Sequence, residues 1–209
     1  YFASLIRVFE GSVTPFKGDY INYVERIPLG LVIQITPWNH PLLISIKKLS
    51  CALAAGNSVI LKPSELSPVS ILRIADFLNE SGLPKGVFNI IQGYGSKIGE
   101  KLCVNNYVSK IDLTGGDKAG KIIGEHAGKN GIYYSTELGG KSPMLVFEDS
   151  DIEKTVSGIT FGCFIASGQT CIAGTRLLIQ RSISKKFLSS LKKKILSLKI
   201  GDPYSLETN

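Results

Sequence analysis

Residues 30–62 read "GLVIQITPWNHPLLISIKKLSCALAAGNSVILK", and their pattern is the clearest indication of the architecture. An apolar run rich in β-branched residues over 30–36 predicts a buried strand. Pro41 then begins a helix-periodic segment that ends at Gly56, and a second short apolar run follows over 58–62. A strand, a helix and another strand in this order predict two parallel strands joined by a crossover helix.

The same alternation continues to residue 138. Further strands are predicted over 87–92, 110–114 and 132–138, and further helices over 68–79, 96–104 and 117–129. Five strands with four crossover helices predict an α/β fold with a Rossmann-like, doubly wound parallel sheet.

Different patterns flank this domain, which we place at residues 29–138. Residues 1–12 read as the end of an N-terminal helix, and 13–28 as an arm or hairpin that bends at Gly18 and Asp19. After residue 138 the alternation starts again. Strands over 143–147 and 175–180 and helices over 152–166 and 184–199 predict the start of a second α/β domain at 139–209.

Composition excludes several classes of protein. The net charge is +7, but Lys and Arg are dispersed and no DNA-binding motif accompanies them, so no nucleic-acid partner is expected. No apolar run reaches the roughly 20 residues of a membrane span. The four cysteines form no CxxC pair, which argues against a zinc site. We therefore expect a soluble, cytoplasmic protein without a metal centre. The first residue is not Met, and we expect a piece of a longer chain.

Ligands of doubly wound sheets bind at the carboxyl ends of the strands, so the loops there are the first candidates for a site. "KPSE" after the second strand holds Lys62 and Glu65, and a carboxylate there can bind ribose hydroxyls; with equal weight, Ser64 or Glu65 could cap the next helix. Lys62 ends an apolar strand and is expected to emerge at the ligand face.

A glycine-rich loop, "TGGDKAG", follows the fourth strand. The backbone amides at Gly115, Gly116 and Gly120, together with the helix dipole, suit a pyrophosphate, although Asp117 would oppose a deeply inserted phosphate. A plain strand-to-helix turn explains this motif equally well. "GYG", residues 93–95, lies at the same edge of the predicted sheet, after the third strand.

Two further residues have the chemistry of an active site. Glu137 ends the fifth strand, where partial burial would raise its pKa toward that of a general base; an ion pair with Lys141 is the alternative. Cys171 follows Gly168 and Gln169, which break the preceding helix, and a thiolate facing a crevice between the domains could act as a nucleophile. Cys51 and Cys163, by contrast, lie in apolar runs and are expected to be packing residues.

Five motifs in order, "ITPWNHP", "LKPSE", "DLTGG", "ELGGKSP" and "GQTCIAGTR", resemble those of the aldehyde dehydrogenase superfamily, and the resemblance extends over essentially the whole chain. It implies that Cys171 attacks the aldehyde carbon to give a thiohemiacetal. The side-chain amide of Asn39 and the backbone N–H of Cys171 would form the oxyanion hole. After hydride transfer to nicotinamide, Glu137 would activate the water that hydrolyses the resulting thioester to a carboxylic acid.

The resemblance also implies a cofactor and an assembly. The cofactor would be NAD rather than NADP, because a carboxylate at Glu65 repels a 2′-phosphate. Many family members have Ser at the position of Gly116. The arm at 13–28 looks like an oligomerisation element, which implies a homodimer or homotetramer of the full-length protein. The residues implied to bind the cofactor are Trp38, Lys62, Glu65, Gly95, Gly115, Gly116 and Gly120.

Family members continue well beyond the position of Asn209, through a glutamate in an "EIFGP"-like segment and a C-terminal oligomerisation strand. The resemblance therefore implies that residues 29–138 are the NAD-binding domain and that 139–209 are the first part of a catalytic domain. Two alternatives to an NAD-dependent dehydrogenase remain. One is a catalytically silent dinucleotide-binding fragment with a binding or structural role, and the other is a cofactor-free thiol hydrolase that uses Cys171 and Glu137.

Overall fold

The computed structural model of the chain describes residues 1–208, which divide into two compact units. The first unit comprises Tyr1–Leu138, and the second begins at Gly139.

A parallel sheet of five strands forms the centre of the first unit. Its strands are β3 (Leu31–Ile35), β4 (Ser58–Lys62), β5 (Phe88–Ile90), β6 (Val108–Gly115) and β7 (Tyr133–Leu138). They are ordered β5-β4-β3-β6-β7, and each neighbouring pair is parallel. The chain therefore winds outward from β3 in one direction and then crosses back to β6, which confirms the predicted Rossmann-like, doubly wound sheet.

Helices cover both faces of this sheet. They are α2 (Pro41–Ala54), α3 (Val69–Glu80), α4 (Glu100–Cys103) and α5 (Asp117–Lys129). One apolar cluster joins α2 and α3 to β4 and β5 through Leu49, Leu61 and Ile71. A second joins α5 to the opposite face through Ile111 and Ile123. No helix in the described residues is both long and apolar enough to span a bilayer.

Several element boundaries differ from the predicted ones. β5 has three residues instead of six, because only Phe88–Ile90 pair with β4. β6 extends in both directions beyond 110–114 because it pairs with both β3 and β7. The helix predicted over 96–104 is a π-helical turn, Gly95–Gly99, followed by the single-turn helix α4.

The N-terminal part of the chain lies outside the sheet. A short helix α1 (Phe2–Leu5) and a 3₁₀ turn (Ile6–Val8) precede an antiparallel hairpin of β1 (Ser12–Thr14) and β2 (Asn22–Val24). Arg26 stabilises the base of this hairpin: its guanidinium lies 4.7 Å from the centre of the Phe9 ring, and its Nε donates to the Glu10 carbonyl at 3.1 Å.

The second unit contains the parallel pair β8 (Ser142–Val146) and β9 (Gly174–Ile179) together with α6 (Ile152–Phe164) and α7 (Ser184–Leu196). Its core consists of Val146, Val156, Ile159, Phe187 and Leu191. α6 begins with a side-chain cap, since Asp151 accepts a hydrogen bond from the Lys154 backbone N–H at 3.1 Å. Both helices end earlier than predicted, by two and three residues.

Gly120→Ala is expected to destabilise the chain by about 1–3 kcal/mol. A Cβ at Gly120 would lie 2.9 Å from Cδ2 of Leu138, so α5 or β7 would have to move. Urea unfolding measures the change. Gly128→Ala in the same helix is the matched control, because its Cβ would meet nothing within 4 Å. That control should stabilise the helix by up to about 1 kcal/mol. Equal effects of the two substitutions would contradict the packing role of Gly120.

Candidate active site

Two of the predicted ligand loops, those after β3 and β6, lie where the sheet reverses its winding direction. β3 and β6 are neighbours, and each leads into a helix on a different face, so their carboxyl ends border the crevice typical of doubly wound sheets. Trp38 is half exposed and Asn39 half buried in the loop after β3. The Ser67 hydroxyl donates to the Trp38 carbonyl at 3.1 Å, which fastens this loop to the one after β4.

Lys62 and Glu65 form an ion pair at the end of β4. Lys62 Nζ lies 3.3 Å from Glu65 Oε2 and donates to the Pro63 carbonyl at 3.1 Å. A backbone hydrogen bond lowers the pKa of Glu65, and the Lys62 ammonium lowers it further. The Lys62 side chain is buried rather than emergent, because its ammonium folds back onto the loop. The alternative helix-capping role is wrong: Pro68 precedes α3 without a side-chain cap, and the Ser64 hydroxyl accepts from Leu66 N–H instead.

A cleft of 270 Å³ lies beside this pair. It is lined by the loops that follow β4 and β5, with Glu65 on one side and Gly93 and Tyr94 on the other. Gly95 is exposed next to this lining and begins the π-helical turn. A partly exposed carboxylate that opens onto such a cleft is a suitable acceptor for the hydroxyls of a ribose.

The glycine-rich loop after β6 leads into the N-terminus of α5. Gly115 ends β6, and Gly116 occupies the cap position without a side-chain acceptor for the first helical amides. A Cβ at Gly116 would meet nothing within 4 Å, so the backbone there is open to approach. Gly120 is different: it is buried, and its carbonyl accepts from the Tyr134 hydroxyl at 2.6 Å, which indicates helix–strand packing.

Glu137 is the penultimate residue of β7 and lies opposite Thr114 of β6. The expectation of partial burial is wrong, because the Glu137 side chain is exposed in the described chain. None of the ion pairs found in residues 1–208 joins it to Lys141. Glu137 and Asn39 belong to the first unit, and Cys171 belongs to the second.

Cys171 is exposed in a turn held by a hydrogen bond of 3.0 Å from Ala173 N–H to the Thr170 carbonyl. A Cβ at Gly140 would lie 3.4 Å from the Cys171 carbonyl oxygen, so the "GGK" segment passes directly beside the cysteine. The helix before it ends in an unusual way. Ala166, Ser167 and Gly168 are left-handed, with φ of 52°, 56° and 73°, a conformation that costs a non-glycine residue about 1–2 kcal/mol.

The other three cysteines occupy different environments. Cys103 is buried, and burial raises its pKa to about 11. Cys163 is half buried, and its thiol donates to the Gly174 carbonyl at 2.8 Å, in keeping with a packing role. The expectation that Cys51 is a packing residue is wrong: it is exposed at an apolar hollow formed with α1, because α1 covers only part of this face of α2.

These environments predict the pattern of alkylation by iodoacetamide at pH 8. Cys171 should react and Cys103 should not, since only the thiolate is nucleophilic and burial raises the pKa of Cys103. Cys51 is exposed, but partial burial of its thiol and the nearby Asp112 carboxylate raise its pKa, so it should react slowly. Peptide mass spectrometry identifies the labelled cysteines.

The native state retains the Cys103 proton to higher pH than the unfolded chain, so the free energy of unfolding should fall as pH rises from 9 to about 11. Labelling of native Cys103 as fast as Cys171 would contradict its burial.

A polar cluster that the sequence did not predict lies under α2. Lys48 Nζ lies 2.6 Å from Asp112 Oδ1, and the Ser135 hydroxyl donates to the same oxygen at 3.0 Å. The available signal was an aspartate within the otherwise apolar strand "KIDLT". Gln34 and Thr114 are also buried on this face, and each has a side-chain oxygen without a partner among the described residues. Among residues 1–208, no three His, Cys, Asp or Glu side chains are grouped so that they could bind a metal ion.

Comparison with known proteins identifies the family. The model of the aldehyde dehydrogenase family matches residues 1–209. Betaine aldehyde dehydrogenase 2 of Rhizobium meliloti is 42% identical over 209 residues, which is all of this chain and 43% of that protein. The chain thus spans less than half the length of this curated relative.

Solved structures agree with this assignment. PnpE, crystallised with nicotinamide adenine dinucleotide, is 43% identical and superposes with a TM-score of 0.96 over 100% of this chain and 43% of its own. Betaine aldehyde dehydrogenase of Staphylococcus aureus in complex with NAD⁺ is 37% identical, with a TM-score of 0.97 over 100% of this chain and 41% of its own. The chain belongs to the aldehyde dehydrogenase family.

Proposed function

We propose that the complete polypeptide that carries this chain oxidises a small aldehyde to a carboxylic acid, with NAD as the electron acceptor. The observation that carries this proposal is the position of Cys171 in an aldehyde dehydrogenase chain. The cysteine is exposed in a turn beside Gly140, and Gly140 follows the exposed carboxylate of Glu137 by three residues.

The first step would be addition of the Cys171 thiolate to the aldehyde carbon. A carbon–sulfur bond forms, and the electron pair of the C=O double bond moves to oxygen. The side-chain amide of Asn39 and the backbone N–H of Cys171 would donate to this oxyanion, and each such donor stabilises the transition state by about 3 kcal/mol. NAD, when bound, supplies the acceptor for the hydride that leaves the thiohemiacetal carbon.

Glu137 would serve the second half of the reaction. Its carboxylate removes a proton from water while the water oxygen adds to the carbonyl carbon of the Cys171 thioester. The carbon–sulfur bond then breaks, the thiolate of Cys171 departs, and the carboxylic acid is released. Exposure of Glu137 leaves its carboxylate accessible to that water.

The residues at the carboxyl edge of the sheet fit a dinucleotide. Glu65 would accept hydrogen bonds from a ribose, and its charge would repel the 2′-phosphate of NADP, which favours NAD. The open backbone at Gly116, together with the adjacent Gly115 at the end of β6, would receive the pyrophosphate, with Trp38 and Gly95 at the border of the site. We assign Gly120 to the packing that sets the position of α5, and we propose that residues 29–138 form the NAD-binding domain.

The proposed assembly is a homodimer or homotetramer of the complete polypeptide. The hairpin of β1 and β2 exposes Val13, Ile21 and Tyr23, each by at least 66%. Within residues 1–208 each strand of this hairpin pairs only with the other, so a second subunit could extend or cover its outer edges. Light scattering of the complete polypeptide with and without residues 11–25 would test this contribution.

Two measurements test the proposed activity: the intact mass of the natural polypeptide, and NADH formation at 340 nm from NAD with aliphatic and aromatic aldehydes and betaine aldehyde. A polypeptide longer than 209 residues that forms NADH would support the dehydrogenase. A mass equal to that of 209 residues, with no NADH formed from any aldehyde, would contradict the dehydrogenase and support a catalytically silent dinucleotide-binding chain. Hydrolysis of thioesters without NAD would favour the thiol hydrolase.

A further inference from the structure

One carboxylate joins three elements of the first unit. Asp112 of β6 accepts two hydrogen bonds at the same oxygen, from Lys48 of α2 at 2.6 Å and from Ser135 of β7 at 3.0 Å. The side chains of Lys48 and Asp112 are only 8% and 21% exposed. This cluster is separate from the Lys62–Glu65 pair and takes no part in the steps proposed above.

The cluster shares a face of the sheet with Glu137. Residues two apart in a strand point to the same side, so Ser135 and Glu137 lie on the face that Asp112 and Thr114 occupy. The register pairs Asp112 with Ser135. Two residues nearer the carboxyl edge of the sheet, it pairs Thr114 with Glu137. Thr114 is 7% exposed, and its hydroxyl has no partner among the described residues. A row of polar groups therefore runs from Lys48 to Glu137.

Glu137 lies where a strand is least restrained. β7 is the outermost strand on its side of the sheet and pairs only with β6 in the described chain. Glu137 is its penultimate residue. The free energy needed to open structure locally is lowest at exposed edges and element ends. The hydrogen bond from Ser135 to Asp112 fastens this strand two residues before Glu137, and Lys48 in turn holds the Asp112 carboxylate.

We propose that Asp112 and Ser135 are positioning residues for Glu137, an inference that rests on the proposed dehydrogenase function. They hold the end of β7 so that the Glu137 carboxylate stays in place to take a proton from the hydrolytic water. Neither residue touches the aldehyde carbon or the sulfur of Cys171 in the proposed steps. Their loss therefore slows hydrolysis of the thioester and leaves its formation unchanged.

The test compares the first turnover with later turnovers by rapid mixing of the complete polypeptide with NAD and an aldehyde that it oxidises. In Ser135→Ala, the ratio of the steady-state rate to the first-turnover rate should fall about tenfold relative to the wild type, since poorly placed catalytic groups lose at least that much. Hydroxylamine, which cleaves a thioester without a general base, should restore the steady-state rate.

Two matched variants separate positioning from general damage. Thr136→Ala changes the neighbouring residue on the opposite face of β7 and should leave the ratio unchanged. Ser135→Thr keeps the hydroxyl and should retain the wild-type ratio. This variant can be measured even if the alanine variant unfolds. A Ser135→Ala enzyme with the wild-type ratio, or an equal fall in Thr136→Ala or Ser135→Thr, would overturn the inference. A wild type that forms no NADH at all would instead refute the proposed function, and the inference with it.

Discussion

Cys171→Ala in the complete polypeptide is expected to lower aldehyde-dependent NADH formation by about 10⁴-fold or more, which is the scale of loss when a nucleophile is removed. Without the sulfur no thiohemiacetal forms, and direct hydride loss from a hydrated aldehyde lacks this covalent route. The side chain is exposed, so the free energy of unfolding in urea should stay within about 0.5 kcal/mol of the wild type. Steady-state assays at 340 nm measure the loss.

Cys51→Ala is the matched control for this substitution. Cys51 is also exposed, but it lies on α2 beside α1, on an element that carries none of the proposed catalytic groups. We expect its NADH formation to match that of the wild type. If Cys171→Ala retained activity while Cys51→Ala lost it, the assignment of the nucleophile would be wrong.

Asp112→Ala is expected to destabilise the first unit by about 3–5 kcal/mol, because it leaves the Lys48 ammonium buried without its counter-charge. At roughly 2–4 °C per kcal/mol for a chain of this size, the melting temperature should fall by about 10 °C. The Ser135 hydroxyl loses its acceptor in the same variant. Urea unfolding and calorimetry measure both quantities.

Two controls isolate the contribution of the buried charge. The double variant Lys48→Met with Asp112→Leu removes both charges and should recover most of the lost stability. Asp76→Ala removes the acid of the exposed Arg73–Asp76 pair and should cost less than about 1 kcal/mol. A cost for Asp112→Ala as small as that of Asp76→Ala would show that the Lys48 ammonium reaches solvent in the variant.

The order of strands and helices could be predicted because the hydrophobic periodicity and the residues that begin or end elements agree along most of the chain. "GLVIQIT" and "SVILK" are short apolar runs, and Pro41 and Gly56 bound the helix between them. The length of β5 could not be predicted, because it depends on how many residues of β4 are available to pair with it. Apolar residues in the sequence indicate which segments are buried, whereas the ends of a strand are set by its hydrogen bonds to a neighbouring strand.

The candidate site could be proposed from the sequence to the extent that its chemistry lies in local motifs. Cys171 and Glu137 stand out because each lies in a loop or at a strand end with few other structural reasons for its residue type, whereas Asn39 is implied only by the resemblance of its motif to the family's. The contact between Lys48 and Asp112 joins residues 64 positions apart, and no local sequence pattern predicts it. The exposure of Glu137 and the burial of Lys62 likewise depend on which elements cover each face, and this is tertiary information.

The left-handed turn of Ala166, Ser167 and Gly168 bears on how this chain could be engineered. Glycine and asparagine adopt this conformation readily, whereas alanine and serine do not. A chain selected for stability alone would therefore carry Gly or Asn at positions 166 and 167. These two positions are accordingly the first to change in a search for a more heat-resistant variant, because Gly or Asn there relieves the strain and keeps the backbone conformation that leads into the Cys171 turn.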